Sequence, residues 1–336
     1  MERYDRRFFE AQRDGARRSA RRTVPLLVEL IHPKSVVDVG CGVGSWLSVF
    51  REFGIENVLG VDGGEEVELL EIPPECFVTH DLTTPIVLDR EFELVVSLEV
   101  AEHLPPESSD AFVDLLVRLG PIVLFSAAIP GQGGTNHLNE QWPEYWALRF
   151  AARGYRVVDA IRPRIWDDPD VEWWYAQNAL LFVRHDRLST DPELTRLAAA
   201  THHSQLSIVH PRKYLGMLDW THRIEQTRRD LADLITPGSS FVFVDSAQLE
   251  AALPPARDSI PFLERAGQYW GPPEDDAVAI HELERLRSAG AAFIAFAWPA
   301  FWWLDQYPVF HRHLMAFPRV MTNDRLIVFD LRARSV

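Results

Sequence analysis

The segment Val36-Val37-Asp38-Val39-Gly40-Cys41-Gly42-Val43-Gly44-Ser45-Trp46 constrains this chain more than any other stretch. Its valine-rich start reads as a strand, its three alternating glycines as a turn, and the apolar residues from Trp46 onward as a helix. Gly40 and Gly42 let the backbone turn sharply with its amides exposed, and Gly44 lets a ligand or the sheet approach the helix start. From Val24 to Arg184 the same alternation continues. Strands are expected at Ser35–Val39, Val58–Val61, Phe77–Thr79, Leu94–Leu98, Ile122–Ala127, Arg156–Asp159 and Leu180–Val183. Helices are expected near 44–53, 65–71, 106–118 and 140–153. Near-continuous apolar strands separated by helices predict an α/β domain with a mostly parallel sheet covered on both faces.

The chain has 336 residues, which at roughly 100–200 residues per domain points to two domains. Residues 1–22 carry eight arginines against four acidic residues and read as a basic amphipathic helix, either solvated or acting as a lid. Residues 23–189 form the first α/β domain and 190–236 a helical linker, with helices at Pro192–Ala200 and Tyr214–Leu234 ending before Pro237-Gly238. Residues 237–336 form a second, smaller α/β domain. It is expected to contain a strand at Phe241–Val244, a proline-rich loop to Pro273, and a helix at Glu274–Ser288. A strand at Ala292–Trp298, an aromatic helix near Phe301–Met315, and strands at Arg319–Met321 and Leu326–Asp330 follow.

The glycine turn alone does not choose among nicotinamide, flavin and S-adenosylmethionine. Its surroundings narrow the choice. Asp38 precedes the turn by two residues, the second strand ends in Val61-Asp62, and the third ends at His80-Asp81-Leu82. An acid at the second strand tip can accept both hydroxyls of a ribose, and one at the third can accept the adenine amino group. Three acids at successive strand ends suit a nucleoside without phosphates, because a pyrophosphate would be repelled.

With Asp38-Val39-Gly40-Cys41-Gly42-Val43-Gly44, Asp62 and Asp81 in this order and spacing, residues 23–185 resemble the class I S-adenosylmethionine-dependent methyltransferases. The resemblance implies a Rossmann-like seven-stranded sheet in order 3-2-1-4-5-7-6 with the last strand antiparallel. It further implies that Gly40, Gly42 and Gly44 line the methionine part of S-adenosyl-L-methionine, that Asp62 holds the ribose and that Asp81 holds the adenine. Asp38, Leu82 and Ser97 complete the candidate cofactor-binding residues. A dinucleotide-binding fold for NAD and a methyltransferase fold that binds without catalysis are the alternatives.

In an open α/β sheet the reaction takes place beyond the carboxyl ends of the strands. The fourth strand runs into Ser97-Leu98-Glu99-Val100-Ala101-Glu102-His103, and the fifth into a loop through Gly131, Gly133, Gly134, His137 and Glu140. Glu99, Glu102, His103 and His137 are therefore expected to converge. Two chemistries fit. His137 or His103, with Glu99, can act as a general base on an acceptor hydroxyl. Alternatively Glu99, Glu102, His103 and His137 can hold Mg²⁺ or another divalent cation that lowers the pKa of the hydroxyl. The Glu-x-x-Glu-His pattern with a distant histidine resembles the metal site of small-RNA 2′-O-methyltransferases, and its first part also that of coenzyme Q O-methyltransferases. Trp142 and Trp146 share a helical face and are expected to pack in the core. Trp166, Trp173, Trp174 and Tyr175 lie among Asp167, Asp168, Asp170 and Glu172, which suits either a sugar-binding cleft or a packed loop.

The segments Gly267–Pro273 and Ala297–Leu304 resemble a small α/β module of bacterial polysaccharide-assembly proteins, which implies that the second domain binds a partner protein or a glycan. The formal charge of −15 bears on the acceptor: residues 23–189 carry 11 basic residues against 27 acidic ones. Such a field suits a sulfonium cofactor and a cation and repels a phosphate backbone. The expectation is a bacterial O-methyltransferase acting on a sugar, glycan or other hydroxyl-rich small molecule, with a small-RNA 2′-O-methyltransferase and a non-catalytic scaffold as alternatives. Two cysteines, Cys41 and Cys76, are too few for a disulfide framework, and no apolar run is long enough to span a membrane, so a cytoplasmic protein is expected.

Overall fold

The computed structural model describes residues 6–63, 69–84, 86, 88–236, 238–249 and 259–333. The chain divides into two compact units, Met1–Tyr214 and Leu215–Val336. In chain order the first contains α1 (Arg6–Ile31), β1 (Ser35–Val39), α2 (Ser45–Glu52), β2 (Asn57–Asp62), β3 (Phe77–Thr79), β4 (Leu94–Leu98) and α3 (Ser109–Leu119). It continues with β5 (Ile122–Ser126), α4 (Pro143–Ala151), β6 (Tyr155–Val158), α5 (Arg162–Ile165), α6 (Trp173–Asn178), β7 (Leu180–Arg184), α7 (His185–Ser189) and α8 (Pro192–Ala200). The division falls inside α9 (Pro211–Leu234).

Seven strands of the first unit form one sheet in the order β3-β2-β1-β4-β5-β7-β6. β1, β2, β3, β4 and β5 are parallel, while β7 runs antiparallel to both β5 and β6. This is the expected sheet. Every residue of β4 and β5 is buried, which is why these strands read as continuous apolar runs rather than alternating ones. One face carries Leu47, Phe50, Val36 and Leu124, the other Val37, Val95, Phe150 and Phe182. The helix expected near 65–71 falls largely outside the described residues, as does Pro237 of the expected helix-breaking pair.

α1 departs from the expected solvated helix. It runs without a break across residues 22 and 23 and through Pro25, and Ala20, Val24, Leu27 and Ile31 are buried in the core. Its arginines hold acids of the same unit: Arg17 and Arg21 reach Glu52, Arg18 reaches Glu172 and Arg22 reaches Asp168. Two of the four acids around the tryptophans at 166–175, Asp168 and Glu172, are thus engaged by α1.

The second unit holds β8 (Phe241–Val244), β9 (Ser259–Pro261), β10 (Glu264–Arg265), β11 (Gln268–Tyr269), α10 (Asp276–Ser288), β12 (Phe293–Ala297), α11 (Trp303–Gln306), α12 (Pro308–Leu314), β13 (Arg319–Thr322) and β14 (Leu326–Asp330). Its five-stranded sheet has the order β13-β14-β12-β8-β9, with β12, β8 and β9 parallel. Trp303, Phe310, Phe262 and Phe296 fill one core, and Ile224 and Leu231 of α9 pack with Phe241 and Phe243 in another. The single aromatic helix expected at 301–315 is two helices, because Pro308 starts a new one. β9, β10 and β11 lie in the stretch read as a proline-rich loop.

Candidate active site

The turn between β1 and α2 is built on left-handed glycines. Gly40 and Gly44 have φ of 84° and Gly42 of 54°. Gly40 donates its N–H to the Val61 carbonyl at 2.7 Å, tying β1 to β2. A Cβ on Gly40 would come within 2.3 Å of Val100 Cγ2, so only glycine fits there. By contrast, among the described residues a Cβ on Gly42 would meet nothing within 4 Å. Its N–H is held by Asp62 Oδ2 at 2.7 Å. The turn therefore presents an open backbone cradle beside the acid at the tip of β2, which is what a ribose-linked ligand at this position requires.

The other expected cofactor residues occupy different surroundings. Asp38 is buried in β1, and burial, reinforced by the charge of Asp62, pushes its carboxyl well above the usual range. Burial likewise raises the Cys41 thiol, with the same two acids adding to the effect. Asp81 is exposed just beyond β3, and its Oδ1 accepts from the Thr83 hydroxyl and N–H, which holds its carboxyl below the ordinary value. Leu82 packs half-buried against the core. Ser97 is fully buried in β4 with no partner for its hydroxyl, so in this structure it lies beneath the site rather than on its surface.

Val100, which packs on Gly40, leads from the cofactor turn into the acceptor side. β4 ends at Leu98, and Glu99 takes a left-handed φ of 55° that redirects the chain. A short 3-10 turn at Ala101–His103 follows and turns Glu102 inward. Glu102 is fully buried, its carboxyl facing the Ala128 backbone and the side chain of Glu99. Burial and then the neighbouring charge of Glu99 push its pKa well up. The ligand atoms of Glu102, His103 and His137 lie within 4.8 Å of one another. The two rings meet edge to face at 4.9 Å. Desolvation, then the proximity of His137, lowers the His103 pKa and favours the neutral ring that can donate a lone pair.

Glu99, expected as a fourth ligand, does not belong to that cluster. Its Oε2 accepts from Gln132 Nε2 at 2.6 Å and its Oε1 from Asn178 Nδ2 at 3.1 Å. Burial raises its pKa, while the Asn178, Ser126 and Gln132 hydrogen bonds oppose the rise. The two amides are linked in turn, Asn178 Nδ2 donating to Gln132 Oε1 at 2.9 Å, and Gln177 Nε2 donating to Asn178 Oδ1 at 2.9 Å. Lys213 closes the network by donating to the Gln132 carbonyl at 2.7 Å.

The loop from Ile129 to Trp142 is anchored at both ends of the cluster. The N–H groups of Leu138 and Asn139 bind the Glu102 carbonyl at 2.7 and 3.0 Å. Glu140 accepts from the N–H groups of Gly131 and Gly133 and sits 2.9 Å from His137 Nδ1. Burial opposes ionisation of Glu140, yet these three bonds outweigh it and hold its pKa below the ordinary value. Sequence reading did not single out Gln132 or Asn178, gave no role to Glu140, and placed Tyr175 only in the aromatic group at 166–175. Tyr175 is buried against Trp46 at a ring distance of 5.2 Å, and after burial itself the charges of Glu99 and Asp38 raise its pKa. The expected Trp142–Trp146 core pair is not formed: Trp146 is buried, but Trp142 precedes α4 and is 40% exposed.

Residues 9–160 match the model of a family described as a methyltransferase domain. The first unit has the class I methyltransferase fold. Among solved structures, magnesium protoporphyrin IX methyltransferase from Synechocystis PCC 6803 with bound S-adenosylmethionine is 18% identical, over 55% of this chain and 86% of that one, with a TM-score of 0.37. The methyltransferase domain of the bacterial protein CtHen1 is 20% identical, over 50% and 98%, with a TM-score of 0.38. DesVI from Streptomyces venezuelae is 14% identical, over 55% and 100%, with a TM-score of 0.40. No curated protein matches the chain.

Proposed function

We propose that this protein transfers a methyl group from S-adenosylmethionine to a hydroxyl oxygen of a sugar, glycan or other hydroxyl-rich small molecule, using a divalent cation held by Glu102, His103 and His137. The observation that carries the reading is the convergence of the buried Glu102 carboxyl with the His103 and His137 imidazoles, their ligand atoms within 4.8 Å of one another. Burial beside Glu99 disfavours the charged form of this carboxyl, and a cation would reverse that preference. Two imidazoles and a carboxylate suit Mn²⁺, Fe²⁺, Co²⁺ or Zn²⁺ better than the all-oxygen preference of Mg²⁺.

A cation held by Glu102, His103 and His137 would lower the pKa of a bound hydroxyl, and S-adenosylmethionine would supply a methyl group on a positively charged sulfur. The chain's own residues do the rest. Gly42 offers open backbone to the cofactor, and Asp62 and Asp81 stand where its ribose and adenine would bind. Val100, packed on Gly40, connects that turn directly to Glu102 two residues on. With both imidazoles holding the cation, the acceptor hydroxyl would pass its proton to water, and its oxygen would bond the methyl carbon as the carbon–sulfur bond breaks.

Hydroxyl-rich, uncharged acceptors are favoured over RNA by charge. Arg17, Arg18, Arg21 and Arg22, the basic face of α1, all engage carboxylates of the same unit. Lys213 stands over the half-buried Trp173 ring at 5.8 Å, next to the Gln132 loop, which supports an acceptor that combines a ring face with polar groups. Two unpaired thiols, Cys41 and Cys76, fit action in the reducing cytoplasm, and no described helix is long and apolar enough to cross a membrane. For the second unit, the exposed Trp270 and Trp302 support binding of a glycan or a partner protein. The test is transfer of labelled methyl from S-adenosylmethionine into polysaccharide, small-molecule and RNA fractions, with and without EDTA. Label in either of the first two fractions, lost on chelation, supports the reading. Label in RNA alone overturns the acceptor, and full activity in EDTA overturns the cation.

A further inference from the structure

Glu140 occupies an unusual position in the glycine-rich loop. Its Oε2 accepts the Gly131 N–H at 2.7 Å, and its Oε1 accepts the Gly133 N–H at 2.9 Å while lying 2.9 Å from His137 Nδ1. Gly131 and Gly133 reach it because both take positive φ, 77° and 73°. A carboxylate offers only lone pairs, so the proton between Glu140 and His137 belongs to Nδ1. His137 Nε2 is then the nitrogen with a lone pair left to give.

The room for that nitrogen is also built in. A Cβ on Gly134 would lie 2.3 Å from His137 Nε2, so the ring edge sits over a backbone position without a side chain. Meanwhile the N–H groups of Leu138 and Asn139, on the other side of His137, are fixed to the Glu102 carbonyl. The ring is held from Glu140 and the backbone is held from Glu102.

Resting on the reading of Glu102, His103 and His137 as a cation site, we propose that Glu140 is the positioning residue that fixes His137 as the Nδ1–H tautomer and commits its Nε2 to the triad. It does so as part of one clamp that also folds the loop around its carboxylate. Carboxylate partners of this kind orient a ligand histidine and raise its basicity, and losing one typically costs about 10–100-fold in metal affinity.

Two readouts on the full chain test this. Long-range ¹H–¹⁵N spectra of histidine-labelled protein at pH 8, with His137 assigned through His137→Gln, report the tautomer without any metal. Titration with Mn²⁺ reports affinity. The expected result is an Nδ1–H tautomer in the parent protein, lost in Glu140→Ala, together with a roughly 10–100-fold weaker Mn²⁺ affinity. Glu140→Gln keeps one carbonyl oxygen to accept from Nδ1, so it should retain the tautomer and recover part of the affinity. S-adenosylmethionine binding should be unchanged in both variants, which shows that they fold. An Nε2–H tautomer in the parent protein, or an Nδ1–H tautomer that survives Glu140→Ala, overturns the proposal. If the parent protein binds no Mn²⁺, the cation reading fails, while the tautomer arm still decides the role of Glu140.

Discussion

Two glycines in one turn should respond to the same substitution in opposite ways. At Gly40 an alanine Cβ would press into Val100, at 2.3 Å from Cγ2 and 2.7 Å from Cγ1, with φ at 84°. Left-handed backbone costs a non-glycine residue roughly 1–2 kcal/mol, and overpacking a filled site costs about 1–3 kcal/mol more. Gly40→Ala should therefore destabilise the first unit by about 2–5 kcal/mol, which for a unit of this size lowers Tm by roughly 5–15 °C. At Gly42, with φ at 54° and nothing within 4 Å of a Cβ, only the backbone cost of about 1–2 kcal/mol applies. If the turn holds the cofactor as proposed, the new methyl group would meet S-adenosylmethionine there. Thermal melting and calorimetric titration with S-adenosylhomocysteine separate the two effects. Gly40→Ala should show the large Tm loss, and Gly42→Ala a small one with at least tenfold weaker binding, a difference of about 1.4 kcal/mol. Gly42→Ala binding as tightly as the parent protein would refute the assignment of this turn to the cofactor.

Gly134→Ala should displace His137, whose Nε2 lies where the Cβ would stand, and abolish Mn²⁺ binding in titration while cofactor binding survives. Arg162 is 1% exposed and bonds Asp159, the Gln177 carbonyl and the Leu206 carbonyl. Arg162→Ala should therefore cost about 3–5 kcal/mol in denaturant unfolding, because it leaves those groups buried and unpaired. The α1 clamp should be sensitive to acid. Hydrogen bonds from Arg21 and Arg17 hold Glu52 below its ordinary pKa, and at Asp168 burial is outweighed by the Arg22 and Asp170 hydrogen bonds together with the charges of Arg22 and Arg212. Their contribution is complete above the unfolded carboxylate range, near pH 4, and is lost as pH falls through the lowered folded values. The Tm difference between the parent protein and an Arg21→Ala/Arg22→Ala variant should accordingly shrink between pH 7 and pH 3.

The sheet was legible because its signal is local and periodic. β1, β3 and β4 begin and end where apolar runs meet turn residues, and the family resemblance carried by the glycine turn and its trailing acids implied the seven-stranded order that the structure shows. α1 was misread because its arginines dominate residues 1–22, whereas its buried stripe, Ala20, Val24 and Leu27, straddles the boundary drawn there. β9, β10 and β11 have three, two and two residues, too short for any alternation to register. Of the four residues expected to converge, three could share one ion, and Glu99 stands beside Glu102 with its oxygens taken up elsewhere. Glu99 is removed by amides at 132 and 178, which no spacing connects and which carry no charge to betray a role. Glu140 did leave a signal, an acid three residues after a histidine in a loop with no apolar face. Its meaning depends on the two glycine N–H groups that bind it.

The central claim is that the methyl group ends on a hydroxyl oxygen, delivered at the Glu102–His103–His137 triad. The most direct measurement is the chemical stability of the labelled product, comparing the parent protein with Glu102→Gln. A methyl ether survives alkali, so the label should stay with the acceptor after base treatment, and Glu102→Gln should form little of it while still binding the cofactor. Label released by alkali as methanol would identify a carboxylate acceptor. That result, or undiminished ether formation by Glu102→Gln, would contradict the account.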